Sequence, residues 1–263
     1  MREDPVAGCK LMVSTELLYG SRRYSDSAAQ KAWQYLRQGK VGRLCSGVSL
    51  VLRARVYSAI TPIMAQLVGR SAYSLRGSEY RYFIASFNST WANERAVELS
   101  YAQELLRSVS GNEVLEVGNV LKNYLQGDWI VCDKYENAPG VINDDVLSFE
   151  LERRFLRIIS ISTLEHVGFD EPDQNVNALP LAVKNLRNHL REGGELYVTL
   201  PLGYNPAVDQ HLLGGSSGFD QVDYLVREGV TKWRQCAQEE AHQRQYGQPY
   251  PCANALAIGK AFA

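Results

Sequence analysis

Two carboxylates at the ends of apolar runs are the residues in this chain best placed to do chemistry. Val114-Leu115-Glu116-Val117-Gly118-Asn119-Val120 is a β-type run that carries Glu116 into a glycine turn. Seventeen residues past Glu116, the run Trp129-Ile130-Val131-Cys132 ends in Asp133. Two buried strands that each deliver an anion to one edge of a parallel sheet make a nucleoside-binding edge. Its ligand must offer hydroxyls or an amine. A pyrophosphate does not suit it, because dinucleotide sites use Gly-x-Gly-x-x-Gly to bring backbone against phosphate, and after Gly118 the next glycine is Gly127.

Positioning those groups requires strands alternating with helices. Ala96, Leu99, Ala102, Leu105, Leu106 and Val109 recur at helical spacing. Asn93 and Glu94 stand at the start, where negative charge suits the helix dipole, and Gly111 is the expected stop. Strands are predicted over 113–117, 129–132, 141–142, 155–162 and 195–200, with helices over 121–125 and 181–190. Gly193-Gly194 is read as closing the second helix, and Pro201 as stopping the last strand. The run 155–162 is almost all apolar or small, as in a strand covered on both faces. The predicted fold class is α/β: a Rossmann-like open sheet, mostly parallel, with helices on both faces. Two further strand candidates, near 231–235 and 253–259, are expected to close it as a C-terminal antiparallel hairpin.

Residues 1–90 are predicted to be a mainly helical N-terminal extension, with helices near 28–36 and 47–67, that contacts substrate or a partner or acts as a lid. Residues 91–263 form the ligand-binding domain. The tyrosines of 73–82 are read as packed aromatics, with a lid or a stacking wall as the other use.

Composition narrows the function. A chain of 263 residues with net charge −1 has no global basic field to gather nucleic acid. Cys9, Cys45, Cys132, Cys236 and Cys252 form no C-x-x-C pair, so neither a zinc knuckle nor a redox motif is expected. Five scattered thiols and no secretory signal point to a reducing compartment, and the expected location is cytoplasmic. The apolar stretch 56–69 is broken by Thr61 and Pro62 and is too short to span a bilayer, and no membrane contact is expected.

Four segments together resemble the class I S-adenosylmethionine-dependent methyltransferase family: Val114 to Asn119, Ile130 to Asp133, Ser162-Thr163-Leu164-Glu165-His166-Val167, and Leu190 to Thr199. They occur in that family's order, across residues 92–263. The resemblance implies S-adenosyl-L-methionine as cofactor. It implies that Glu116 organises the turn at Gly118 and Asn119 and meets the methionine amine, and that Asp133 takes both ribose hydroxyls. Asp145, or else Asp144, would meet the adenine amino group, with Lys134 and Ser162 in the same cofactor shell. The chain departs from the pattern at Val120, where a second glycine is usual, and at Arg157, where an acidic residue often precedes the fourth strand. Asn119 tolerates left-handed backbone better than most residues and is expected to take up the altered turn.

The implied activity is methyl transfer, with O-methylation of a sugar or other polar hydroxyl compound as the favoured chemistry. His166 is the candidate base, since imidazole titrates near neutrality. Glu165, Tyr204 and Asn205 are the candidate substrate contacts, and no Asn/Asp-Pro-Pro-Tyr segment follows the fourth strand. Glu165, His166, Asp170 and Glu171 have the donor types of a divalent-cation site, but a solvated acidic loop is the commoner outcome and no metal is assigned. The expected partner is a small-molecule or glycan acceptor, with an oligomer left open. The altered turn motivates an alternative: a non-catalytic methyltransferase-like subunit that acts through a protein partner.

Overall fold

The apolar runs assemble into one mixed sheet of 8 strands, in a computed structural model that describes residues 56–57 and 59–263. A helical segment over 59–68 comes first, docked where Thr61 Oγ1 accepts the indole N–H of Trp91 at 3.0 Å. The expected helix at 28–36 and residues 47–55 and 58 of that at 47–67 lie outside the described residues, while the rest of the second is helical as expected. Strands β1 (Ala72–Leu75) and β2 (Ser78–Arg81) then form an antiparallel hairpin around Arg76 and Gly77. The sequence assigns no element to this stretch. Alternation puts Tyr73 and Leu75 inward, and Tyr73 packs on Tyr80 and Tyr82 while Tyr101 meets both Tyr80 and Tyr197. The tyrosines are core, which leaves no stacking wall at Tyr73 and Tyr82.

Helix α1 (Arg95–Arg107) leads into β3 (Val114–Val117). The helix ends four residues before Gly111, which instead opens a 3-10 turn over Gly111–Glu113. Strands β4 (Ile130–Cys132), β5 (Val141–Ile142) and β6 (Phe155–Ile161) follow, then helix α2 (Ala178–Asn188), β7 (Leu190–Pro201) and helix α3 (Pro206–Leu213). The expected helix at 121–125 is a single 3-10 turn, Leu121–Asn123. Strands β8 (Gln221–Arg227), β9 (Trp233–Cys236) and β10 (Ala255–Phe262) complete the chain, with a one-turn helix at Gln238–Ala241.

The strand order is β5-β4-β3-β6-β7-β10-β8-β9, parallel from β5 to β7 and antiparallel beyond. The two predicted tail strands do not pair with each other. β10 is apolar on both faces and takes a neighbour on each side, so β8 lies between it and β9. Gly193-Gly194 is also corrected: α2 has already ended at Asn188, and β7 pairs Leu190 with Phe155, then Glu195 with Arg157. The two glycines occupy the irregularity between those pairs. A Cβ at Gly194 would stand 2.8 Å from the Phe155 carbonyl, which demands glycine there.

The period-2 pattern of the strands decides which side group faces which layer. Leu115 and Val117 join Ile158, Leu196 and Val198 under α2 and α3. Val114, Val131, Ile159 and Ile161 face the opposite way, against Leu99 and Ala102 of α1. Glu116 shares that second face and is wholly buried. Arg157, where the family pattern expects an acid nearby, pairs with Glu195 at 3.1 Å and lies over the Tyr197 ring.

Candidate functional site

The parallel strands deliver their C-terminal ends to one edge, and that edge carries Glu116, Asp133, Asp145, Ser162 and Pro201. At its centre the Gly118 amide donates to the Cys132 carbonyl at 2.9 Å, and the Val120 amide donates to the Gly118 carbonyl at 2.6 Å. Gly118 sits at φ +81 and is the residue that turns the chain. Asn119 does not adopt the left-handed conformation expected of it. Val120 needs no glycine, because its side chain packs beside Leu121 in the cluster beneath α1. A Cβ at Gly118 would stand 2.1 Å from Thr163 Oγ1. Gly118→Ala should therefore lower stability by at least about 1–3 kcal/mol, the cost of a strained positive φ alone. Urea unfolding measures it, and an unchanged midpoint would contradict the tight approach of the two loops.

Glu116 organises the turn from beneath. Its carboxylate accepts the Leu121 amide and, at 2.6 Å, the Trp129 indole N–H. Burial pushes its carboxyl up to about 7, against the pull of those two donors. Both oxygens are engaged inside the protein, so Glu116 supports the turn and does not reach a ligand's amine. Asn119 donates to Glu136 Oε1 at 2.9 Å, while its own Oδ1 is buried without a partner among the described residues.

Asp133 is half-buried at the end of β4, and its Oδ1 accepts the amides of Tyr135 and Glu136, each at 2.8 Å. This loop cap aims the carboxylate and leaves Oδ2 with no hydrogen bond among the described residues. Lys134 and Asp145 are tied together at 2.8 Å, and Lys134 also reaches Glu171 at 2.7 Å. Burial acts to raise the Asp145 carboxyl, but Lys134 and the Leu147 amide hold it below the usual range. Lys134 thus bridges the loop after β5 to the loop after β6. Asp144 is exposed and its Oδ1 takes the Asp145 amide at 2.8 Å.

The loop after β6 carries the other groups. Ser162 stands at φ +40 and its hydroxyl donates to the buried Glu98, which also accepts Thr199 Oγ1 at 2.7 Å and pairs with Arg95. The Ser162 hydroxyl is spent on this network, not presented at the edge. His166 is half-exposed, its Nδ1 lies 2.6 Å from Asp170 Oδ2, and its Nε2 lies 3.7 Å from Glu165 Oε1. Tyr204 donates to Asp170 at 2.9 Å, and its ring meets His166 and Tyr246. Burial raises the Tyr204 hydroxyl, and its bond to Asp170 adds to that.

Asn205 is a correction. It is buried, caps α3 by accepting the Ala207 and Val208 amides, and donates to the Glu165 carbonyl at 2.8 Å. Its side chain is buried and holds the loop. Among the described residues no three metal-type ligands converge, and Glu171 turns to Lys134 rather than to His166.

Sequence reasoning missed Glu98, Trp129 Nε1 and the role of Asp170 as the partner of His166. Asp170 had a legible signal, its i,i+4 spacing from His166. Glu98 stood beside Leu99 in a run read only for its apolar positions. Nothing local marks the indole as a donor to a residue on another strand.

No family model matches the chain, and no curated protein does. Solved structures do. An S-adenosylmethionine-dependent methyltransferase from Clostridium acetobutylicum is 11% identical, over 63% of this chain and 89% of that one, at TM-score 0.35. A TehB-like methyltransferase from Corynebacterium glutamicum is 12% identical, over 63% and 86%, at TM-score 0.39. DesVI from Streptomyces venezuelae is 19% identical, over 65% and 92%, at TM-score 0.34. These likenesses do not carry the chemistry of the site, which rests on its own geometry. The fold stands on strand order and register: a Rossmann-like open sheet with antiparallel strands at its C-terminal end.

Proposed function

We propose that this chain is an S-adenosylmethionine-dependent methyltransferase that acts on a hydroxyl of a sugar or another polar small molecule. The observation that carries this reading is the pairing of His166 Nδ1 with Asp170 at 2.6 Å beside the strand-end edge. An imidazole whose Nδ1–H donates to a carboxylate presents Nε2 as a proton acceptor. The donor set fits the cofactor. Asp133 Oδ2 and the buried, unpartnered Asn119 Oδ1 are acceptors on either side of the Gly118 turn, and a diol and an ammonium are the matching donors. Asp133, Asn119 and Gly118 would hold the cofactor, whose bound form supplies an electrophilic methyl group.

The chain's own part is orientation and one proton. An in-line displacement gains chiefly from holding the reactants in line. His166 Nε2 would take the acceptor's hydroxyl proton as the oxygen attacks, and Asp170 would hold the imidazolium that forms. Tyr204 packs edge-on against the imidazole, and Phe169 in turn packs against Tyr204. Calorimetric titration with S-adenosylmethionine tests the reading: saturable binding at one site is expected, and no binding by folded protein would refute it.

A further inference from the structure

Glu165 is left over by this mechanism. It is only 2% exposed, and its Oε2 has no hydrogen-bond partner among the described residues. His166 Nε2 stands 3.7 Å from its other oxygen, Glu98 and Glu94 act on it as like charges, and Arg95 is already paired with Glu98. A buried carboxyl left unpaired is strongly disfavoured in its charged form, so a protein that keeps one either holds it neutral or expects a cation. Burial above all, with Glu98 and Glu94 adding like charge, pushes the Glu165 carboxyl well above its usual range.

The residue is also held in place. Asn205 grips its carbonyl at 2.8 Å while capping α3. Its Oε1 lies 3.7 Å from His166 Nε2, so the carboxyl and the base address the same spot. An aromatic cluster stands beside that spot: Tyr204 meets His166 at 4.7 Å, and Tyr246 and Phe169 pack on Tyr204 at 5.3 and 5.8 Å between centroids. A buried acid at the foot of an aromatic wall is the chemistry that recognises an ammonium, through an ion pair below and ring quadrupoles beside it.

Resting on the methyltransferase reading, we infer that Glu165 recognises a protonated amine on the acceptor, next to the hydroxyl that His166 deprotonates. The substrate class is then an amino alcohol, with amino sugars as its polyhydroxylated members. A neutral polyol would satisfy one lone pair of Glu165 but supply no charge. An ammonium supplies three donors and the missing cation.

The test uses the full chain with radiolabelled S-adenosylmethionine and acceptors matched except at one position: 2-amino-2-deoxyglucose against glucose, and 2-aminoethanol against ethane-1,2-diol. Transfer to the amine member of a pair should exceed transfer to its neutral partner at least tenfold. In Glu165→Gln, which keeps size and hydrogen bonding but loses the charge, that preference should collapse with cofactor affinity unchanged. Equal use of both members, no transfer to either amine, or a preference that survives in Glu165→Gln would overturn the inference. Because the wild-type comparison needs no variant, a poorly folding Glu165→Gln cannot rescue it. Cofactor binding without amine preference sinks this inference alone, whereas absent cofactor binding sinks the methyltransferase reading beneath it. Product mass spectra must place the methyl on oxygen; a methyl on nitrogen would overturn the inference and the hydroxyl reading together, because an ammonium held by Glu165 has no lone pair to take it.

Discussion

Asp133→Ala should weaken S-adenosylmethionine binding by about 30- to 150-fold, which corresponds to about 2–3 kcal/mol for hydrogen bonds to a charged acceptor. Two effects add. The substitution removes Oδ2, the oxygen available to a ribose diol, and it also strips the Tyr135 and Glu136 amides of their shared acceptor. The loop that aims the carboxylate would lose its cap. Asp133→Asn separates the contributions, since an amide oxygen can still cap the loop while the charge and one acceptor are gone. Its loss should be intermediate. Calorimetry reads both variants, and an unchanged Kd for Asp133→Ala would remove this strand end from the cofactor site.

His166→Ala should cut kcat by about 100- to 10,000-fold, the usual range for a positioned general base, with cofactor affinity intact. The separation is the informative part. His166 is half-exposed and bonds to Asp170 in its own loop, so its removal leaves the Gly118 turn and Asp133 undisturbed. Asp170→Asn should cost less in rate, because the imidazolium loses its anionic partner. Turnover that is equal in His166→Ala and the parent protein would exclude His166 as base, whatever the acceptor proves to be.

Much of the edge was legible locally. Runs such as Val114 to Val117 and Phe155 to Ile161 are apolar and β-branched enough to be buried strands wherever they fall, and each is followed by a turn that cannot continue the strand. Parallel strands linked by right-handed crossovers share one C-terminal edge, which is why Glu116 and Asp133 could be placed together before any coordinates. Errors arose where glycine was read as a helix stop, at Gly111 and at Gly193-Gly194. At Gly194 close backbone approach demanded glycine, with Phe155 O 2.8 Å from where a Cβ would stand, and at Gly111 the approach is tight, with Asp128 N at 3.2 Å. The β1–β2 hairpin was hidden because Tyr and Arg fit either a helix or a strand.

Local pattern was thus sufficient for the sheet, its parallel half and the acids at its edge, since strand propensity and period are properties of a few neighbouring residues. How those acids are used came from packing. Glu116 turned inward because Trp129 and Leu121 offered their N–H groups on that face, Asn205 became a clamp on Glu165, and β8 came between two strands expected to pair. Each of these depends on which groups from distant parts of the chain arrive at the same place with donors and acceptors to satisfy, and spacing along the chain does not encode that.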